Sequence, residues 1–249
     1  MKVVPGNAYG PLTAATDPLS VFPSYGLTRG LWVGAGCTDY LESGFFSSVN
    51  GPFTRITSGT GSTATSIAGE AGAPGVTSFS TGTDTTGRAA SMTSAEALTT
   101  TDGVWRWRAR FRVPTASDGT DTFALAAGFF SSITTATAPT RAAFFRYQHS
   151  VNSGLLEAVC RNAGSEAGSV FSTSVNPVAA SGYIDLEIEI DQPSGNAKFY
   201  SSGTLLTTIS TNVPSGTIGA GINIVKSAGT TARTFVVDGQ ILWQGGLAR

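Results

Sequence analysis

The chain has 249 residues, with 15 Lys and Arg against 16 Asp and Glu, a net charge of −1 and a charged fraction of only 12%. That balance argues against a nucleic-acid partner, which needs a concentrated basic surface. No run of eighteen or more apolar residues is present to cross a membrane as a helix. The 31 glycines, with abundant Thr, Ser and Ala, suit many short strands joined by tight turns.

Residues 1–37 hold Pro5, Pro11, Pro18 and Pro23 and no alternating pattern. They are expected to form an extended arm rather than a folded unit. Phe22, Tyr25 and Trp32 are its aromatic anchors, suited to packing on their own domain or on a neighbouring subunit, and are the interaction candidates. The start, MKVVPGNAYGPLTAATDP, lacks the apolar stretch of a secretory signal. Cys37 and Cys160 read as free thiols of a reducing compartment.

From residue 38 to 249 strand signals recur. In chain order they are GPFTRITS, GVTSFSTG, TGRAASMTS, GVWRWRARFRVP, DTFALAAGFF, RAAFFRYQH, LLEAVCRN, GSVFSTSV, YIDLEIEID, NAKFYSSG, TLLTTIST, IGAGINIVKS and ARTFVVDGQILWQG. Most are bounded by Gly, Pro, Asn, Asp or Ser, which predicts an all-β sandwich or barrel. QPSGNAKFYSSGTLL predicts two hairpin turns in succession, with Ser-Gly at each bend. The strand aromatics mostly alternate into the core side. No fixed-period repeat indicates a propeller or solenoid.

Two strands concentrate charge. Arg106, Arg108, Arg110 and Arg112 alternate with Trp105, Trp107, Ala109, Phe111 and Val113. Asp185, Glu187, Glu189 and Asp191 alternate with Ile184, Leu186, Ile188 and Ile190. Successive side chains of a strand point to opposite faces, so each row shares one face. Unpaired rows would repel and facing rows attract, which predicts neighbouring strands in one sheet. Their charges should face solvent, over Trp105, Trp107, Phe111, Leu186 and Ile188.

Other chemistry is sparse. His149 is the only histidine, so a cluster of histidine metal ligands cannot form, and a strand-end or turn position is the expected role. The acids of TDG (101–103) and SDGTD (117–121) could hold Ca²⁺ in oxygen-rich loops, but turn chemistry accounts for them. No EF-hand, P-loop or dinucleotide-binding fingerprint is present, and no cofactor is implied.

The segments APGVTSFSTGTDTTGRAASMTS, GVWRWRARFRVPTASDGTDTFALAAGFF and TTISTNVPSGTIGAGINIVKSAGTTARTFVVDGQILWQ together resemble a concanavalin A-like jelly-roll module found in virion structural and tail-associated proteins of tailed bacteriophages. KSAGTTARTFVVD is the most specific piece, and the resemblance spans about residues 40–246. It implies an antiparallel two-sheet jelly-roll sandwich over residues 38–249 behind the N-terminal arm. It also implies a virion structural protein: a capsid decoration protein on the head exterior, assembled in the host cytoplasm and held partly through its arm. The expected partners are other virion proteins and further copies of the chain in a symmetric oligomer. The alternative is a tail-associated module that binds a carbohydrate or receptor, with a glycan as partner.

A glycoside hydrolase is the remote alternative. β-Glucanases of the concanavalin-like fold carry strand acids as Glu-x-Asp-x-Glu or Glu-x-Asp-x-x-Glu, whereas this row reads Asp-x-Glu-x-Glu-x-Asp. Arginines beside carboxylates favour the ionised form, whereas a general acid must keep its proton. The acid row is therefore expected to be a structural, ion-paired face, and no enzyme activity is expected.

Overall fold

The computed structural model describes residues 37–44, 53–70, 73–93, 98–101, 103–132, 139–179 and 182–245. The expected arm lies outside the described residues except for Cys37, and so do Phe22, Tyr25 and Trp32.

Sixteen strands follow in chain order: β1 (Cys37–Gly44), β2 (Thr54–Ser58), β3 (Thr63–Glu70), β4 (Ala73–Ser80), β5 (Arg88–Met92), β6 (Leu98–Thr99), β7 (Val104–Arg112), β8 (Phe123–Phe130), β9 (Ala142–Gln148), β10 (Glu157–Arg161), β11 (Val170–Ser172), β12 (Ile184–Asp191), β13 (Asn196–Ser201), β14 (Thr204–Ile209), β15 (Thr217–Lys226) and β16 (Thr234–Gly245). Among the described residues the one helical element is a 3₁₀ turn at Val151–Gly154.

The strands form two antiparallel sheets. The first runs β14-β13-β12-β7-β16-β4-β3, with β1 also paired to β16. The second runs β11-β10-β9-β8-β15-β5-β2, with β6 also paired to β15. All thirteen segments with strand signals are strands. The strands without a legible signal are β1, β3 and β6. β3 is built of small residues, TATSIAGE, and β6 is two residues long.

The sheets pack face to face over a core that includes Trp107, Phe111, Phe129, Phe145, Leu186, Ile188, Phe199, Ile222, Ile224 and Phe235. Phe145 and Phe199 meet edge-on across the sheets at 5.3 Å, while Phe79 stacks on Phe235 within the first sheet at 4.6 Å. Such pairs add about 1 kcal/mol each beyond the area they bury. A buried polar bridge crosses this core. Trp107 Nε1 donates to Gln240 Oε1 at 3.2 Å, and Gln240 Nε2 donates to Ser91 Oγ of the second sheet at 2.7 Å. A buried amide is tolerated because both of its ends are satisfied.

Turn chemistry sets the β13–β14 register. Ser202 and Gly203 both have positive φ, 49° and 78°, the backbone of a type I′ hairpin turn. Cys160 is a buried free thiol, pushed up to about 12 by desolvation, so little of it is thiolate and reactive at neutral pH.

Candidate functional site: the charged outer face of the first sheet

β7 and β12 are direct antiparallel neighbours. Arg106 stands opposite Glu189, Arg108 opposite Glu187 and Arg110 opposite Asp185. The apolar alternates Trp107, Phe111, Leu186 and Ile188 are buried between the sheets, so the charged residues lie on the outer face.

The pairing is more selective than two facing rows. Arg106 pairs with Glu189 and approaches Glu187 at 3.8 Å. Lys198 of β13 donates to the other oxygen of Glu189 at 2.7 Å. Arg108 reaches diagonally to Asp185, with Nε to Oδ1 at 2.7 Å. Arg110 pairs with Asp238, which sits where the register of β16 shifts between Val237 and Gly239. Arg112 lies over the Tyr183 ring at 5.6 Å and Arg110 at 4.9 Å. Asp191 closes the β12–β13 turn by accepting the Ser194 N–H at 3.2 Å.

The face is not evenly solvated, contrary to the expectation for a row of four outward carboxylates. Glu189 is 4% exposed, Arg112 8% and Glu187 9%. Long side chains from neighbouring strands lie over these carboxylates, and at that burial a carboxylate is tolerable only when its oxygens are paired. The Glu189 bond raises the Lys198 pKa. Desolvation raises the Tyr200 pKa, and nearby Glu189 adds to it. Burial likewise pushes the Asp238 carboxyl up, with Arg110 opposing.

Aromatic residues interleave with the charges. Residues directly opposite on paired strands share a face, so Trp243, opposite Arg106, and Tyr200, opposite Glu187, both lie on the outer side. The Arg106 guanidinium is 5.3 Å from the centre of the Trp243 ring. Tyr200 faces Leu205 of the edge strand β14, and Leu205 is 49% exposed. Tyr183, Tyr200 and Trp243 are partly exposed. The expectation that strand aromatics turn into the core fails for these three. Their parity was readable, since Phe199 and Leu242 take the inward positions beside them.

The remaining candidates are structural. Asp118 Oδ1 accepts the Thr120 and Asp121 N–H groups at 2.8 Å each, and Oδ2 accepts from Arg233. These bonds hold the Asp118 carboxyl down to about 2, the backbone donors first and Arg233 next. Asp121 Oδ1 accepts the Thr231 N–H at 2.8 Å. The loop is thus occupied by its own turn bonds, and no group of three or more His, Cys, Asp or Glu able to hold a metal occurs among the described residues. Asp102 of the TDG turn lies outside the described residues. His149 sits in the turn after β9. No helix among the described residues is long and apolar enough to cross a membrane.

Two face-to-face antiparallel sheets with this connectivity define the concanavalin A-like, lectin-type class of fold. Within it, residues 72–238 match the family of SO2946-like C-terminal domains, and the chain belongs to that family. The protein of unknown function SO2946 from Shewanella oneidensis MR-1 is similar in structure, with a TM-score of 0.62 at 15% identity over 86% of this chain and 90% of that one. The carbohydrate recognition domain of Emp47p has a TM-score of 0.55 at 10% identity, covering 87% of this chain and 100% of that one. The binding domain of botulinum neurotoxin DC, solved in complex with rat synaptotagmin II, has a TM-score of 0.52 at 13% identity, covering 84% of this chain and 48% of that one. At these identities the likeness is one of fold. No curated protein matches the sequence.

Proposed function

We propose that this protein is a non-enzymatic, lectin-type recognition module that binds a glycan on the outer face of its first sheet. The observation carrying this reading is the interleaving on one face of three partly exposed aromatic rings, Tyr183, Tyr200 and Trp243, with paired Arg, Lys, Asp and Glu side chains. Ring faces suit the apolar faces of sugars, and fixed charged groups suit hydroxyls. The likeness to the Emp47p carbohydrate recognition domain supports the choice of ligand class. Catalysis is disfavoured because Glu189 is committed to Arg106 and Lys198, and Asp185 to Arg108. Glu187→Gln and Glu189→Gln would leave any measured hydrolysis intact. A glycan array probed with the full chain tests the reading. Hits lost in Trp243→Ala support it, and no hit above background overturns it.

A second reading has the protein on a bacteriophage particle as a capsid decoration protein held partly through residues 1–37, assembled in the host cytoplasm with other virion proteins. The sequence resemblance to phage virion modules favours it. Quantitative mass spectrometry of purified particles tests it. Abundance comparable to the main shell protein supports decoration, a few copies per particle indicate the tail, and absence removes the virion assignment.

A further inference from the structure

Among the described residues six strands pair on one side only, and they are not alike. Natural sheets blunt an exposed edge by keeping it short, by charging it, by adding Pro or by bulging it. β6 is two residues long, and β1 carries Asp39 and Glu42 and a register irregularity at its start. β11 is three residues long. β2 is five residues long and carries Arg55. The β13–β14 ladder is broken by a register irregularity between Phe199 and Tyr200. β3 shows none of these devices. It has eight residues, a continuous register with β4 from Thr63 to Ala68, and no Lys, Arg or Pro, and its single charged residue is Glu70 at its end. Among the described residues its far edge is unpaired and ends the first sheet. On its inner side Ala64 packs on the core and Ser66 Oγ accepts from Arg55 at 3.0 Å, while on its outer side Ile67 is 39% exposed.

We propose that β3 pairs antiparallel with β3 of a second copy of this chain, about a two-fold axis through Ser66 and normal to the sheet. Such an axis brings residues of one face opposite each other, so Ala64 meets Ala68 and Thr65 meets Ile67 of the partner subunit. Glu70 falls opposite Ser62, so no like charges confront each other. Thr opposite Ile is a favourable β-branched cross-strand pair. The chain's own first 36 residues are a poor occupant of this edge. Pro5, Pro11, Pro18 and Pro23 interrupt their first part, and Gly26, Gly30, Gly34 and Gly36 interrupt their last, which makes weak strand.

The axis direction has a functional consequence. Both outer faces of the first sheet point the same way, so the dimer presents two copies of the Trp243–Tyr200 face to one surface. A second binding event on a densely decorated surface then becomes intramolecular, and avidity exceeds single-site affinity. This consequence rests on the glycan reading, whereas the pairing itself does not.

Sedimentation velocity and light scattering on the full chain, without ligand, test the pairing. The wild type should run at twice the monomer mass. The Thr65→Lys, Ile67→Lys double variant should run at monomer mass and still unfold cooperatively, with a melting temperature that no longer depends on protein concentration, and Val170→Lys on the β11 edge should remain dimeric. Hydrogen exchange should show the outward-pointing β3 amides protected in the wild type and exposed in the double variant. A monomeric wild type, or a dimer that survives both lysines, overturns the proposal. So does protection of these amides in a monomeric wild type, which would assign the edge to a partner within the chain. Loss of glycan binding with the dimer intact would count against the glycan reading alone.

Discussion

Arg106 and Glu189 stand directly across from each other on β7 and β12, and the guanidinium that holds Glu189 also lies 5.3 Å from the centre of the Trp243 ring. One arginine therefore couples the charge balance of the outer face to the placement of its largest aromatic. Glu189 is 4% exposed, so its oxygens need such partners to be satisfied.

Arg106→Ala should destabilise the fold by about 2 kcal/mol, between the values for surface and fully buried pairs, because Arg106 is partly exposed and Lys198 remains on Glu189. A double-mutant cycle with Glu189→Gln, read by urea unfolding, should give a coupling of about 1 kcal/mol or more. Additive single effects would show that the pair contributes nothing beyond its separate contacts.

Trp243→Ala and Tyr200→Ala should each weaken glycan binding about tenfold, the size of losing one well-packed aromatic contact. Melting temperatures should fall little, because both rings lie outside the inter-sheet core. Binding unchanged in both variants would remove this face as the site.

Asp118 makes stability depend on acid pH. Its folded carboxyl sits at about 2 against an ordinary 3.8. A depressed carboxylate contributes stability above the unfolded value, and the contribution is lost as pH falls from about 4 towards 2. Asp118→Asn should therefore flatten the fall in melting temperature across that window. It should also lower stability at neutral pH, since the buried Arg233 loses an acceptor. An acid profile identical to the wild type would refute this role.

Lys226 points inward at the end of β15, in step with the core residues Ile222 and Ile224, and its Nζ is buried without a hydrogen-bond partner. Desolvation lowers its pKa, with Asp121 and Asp84 opposing less strongly. A base with a depressed folded pKa costs stability while the unfolded chain binds the extra proton, so stability should rise with pH through the folded pKa up to the ordinary 10.5. Lys226→Met should raise stability at neutral pH by about 1 kcal/mol, the scale of relieving one unsatisfied buried group. It should also remove the alkaline rise, and urea unfolding at several pH values checks both.

The strand character of Val104–Arg112 and Ile184–Asp191 was legible in the sequence because pleating is local: side chains must alternate wherever one face is buried. The Ser202-Gly203 turn was legible for the same kind of reason, since only a few residues accept positive φ. From these local rules the sequence determined an all-β sandwich or barrel, its two charged strands and the core residues Trp105, Trp107, Phe111, Leu186 and Ile188 on them. The choice of partners was not local. That β7 and β12 are neighbours followed from their complementary charges, but the diagonal reach of Arg108 to Asp185 did not. Arg110 is claimed by Asp238 at the irregularity in β16, Asp191 by its own turn, and Gln240 by Trp107 and Ser91. Only the tertiary structure decided these, and with them the burial of Glu187 and Glu189 and the outward placement of Tyr200 and Trp243. An alternating pattern states that a side chain leaves the core, and the packing of neighbouring strands sets what it meets there and how much water remains.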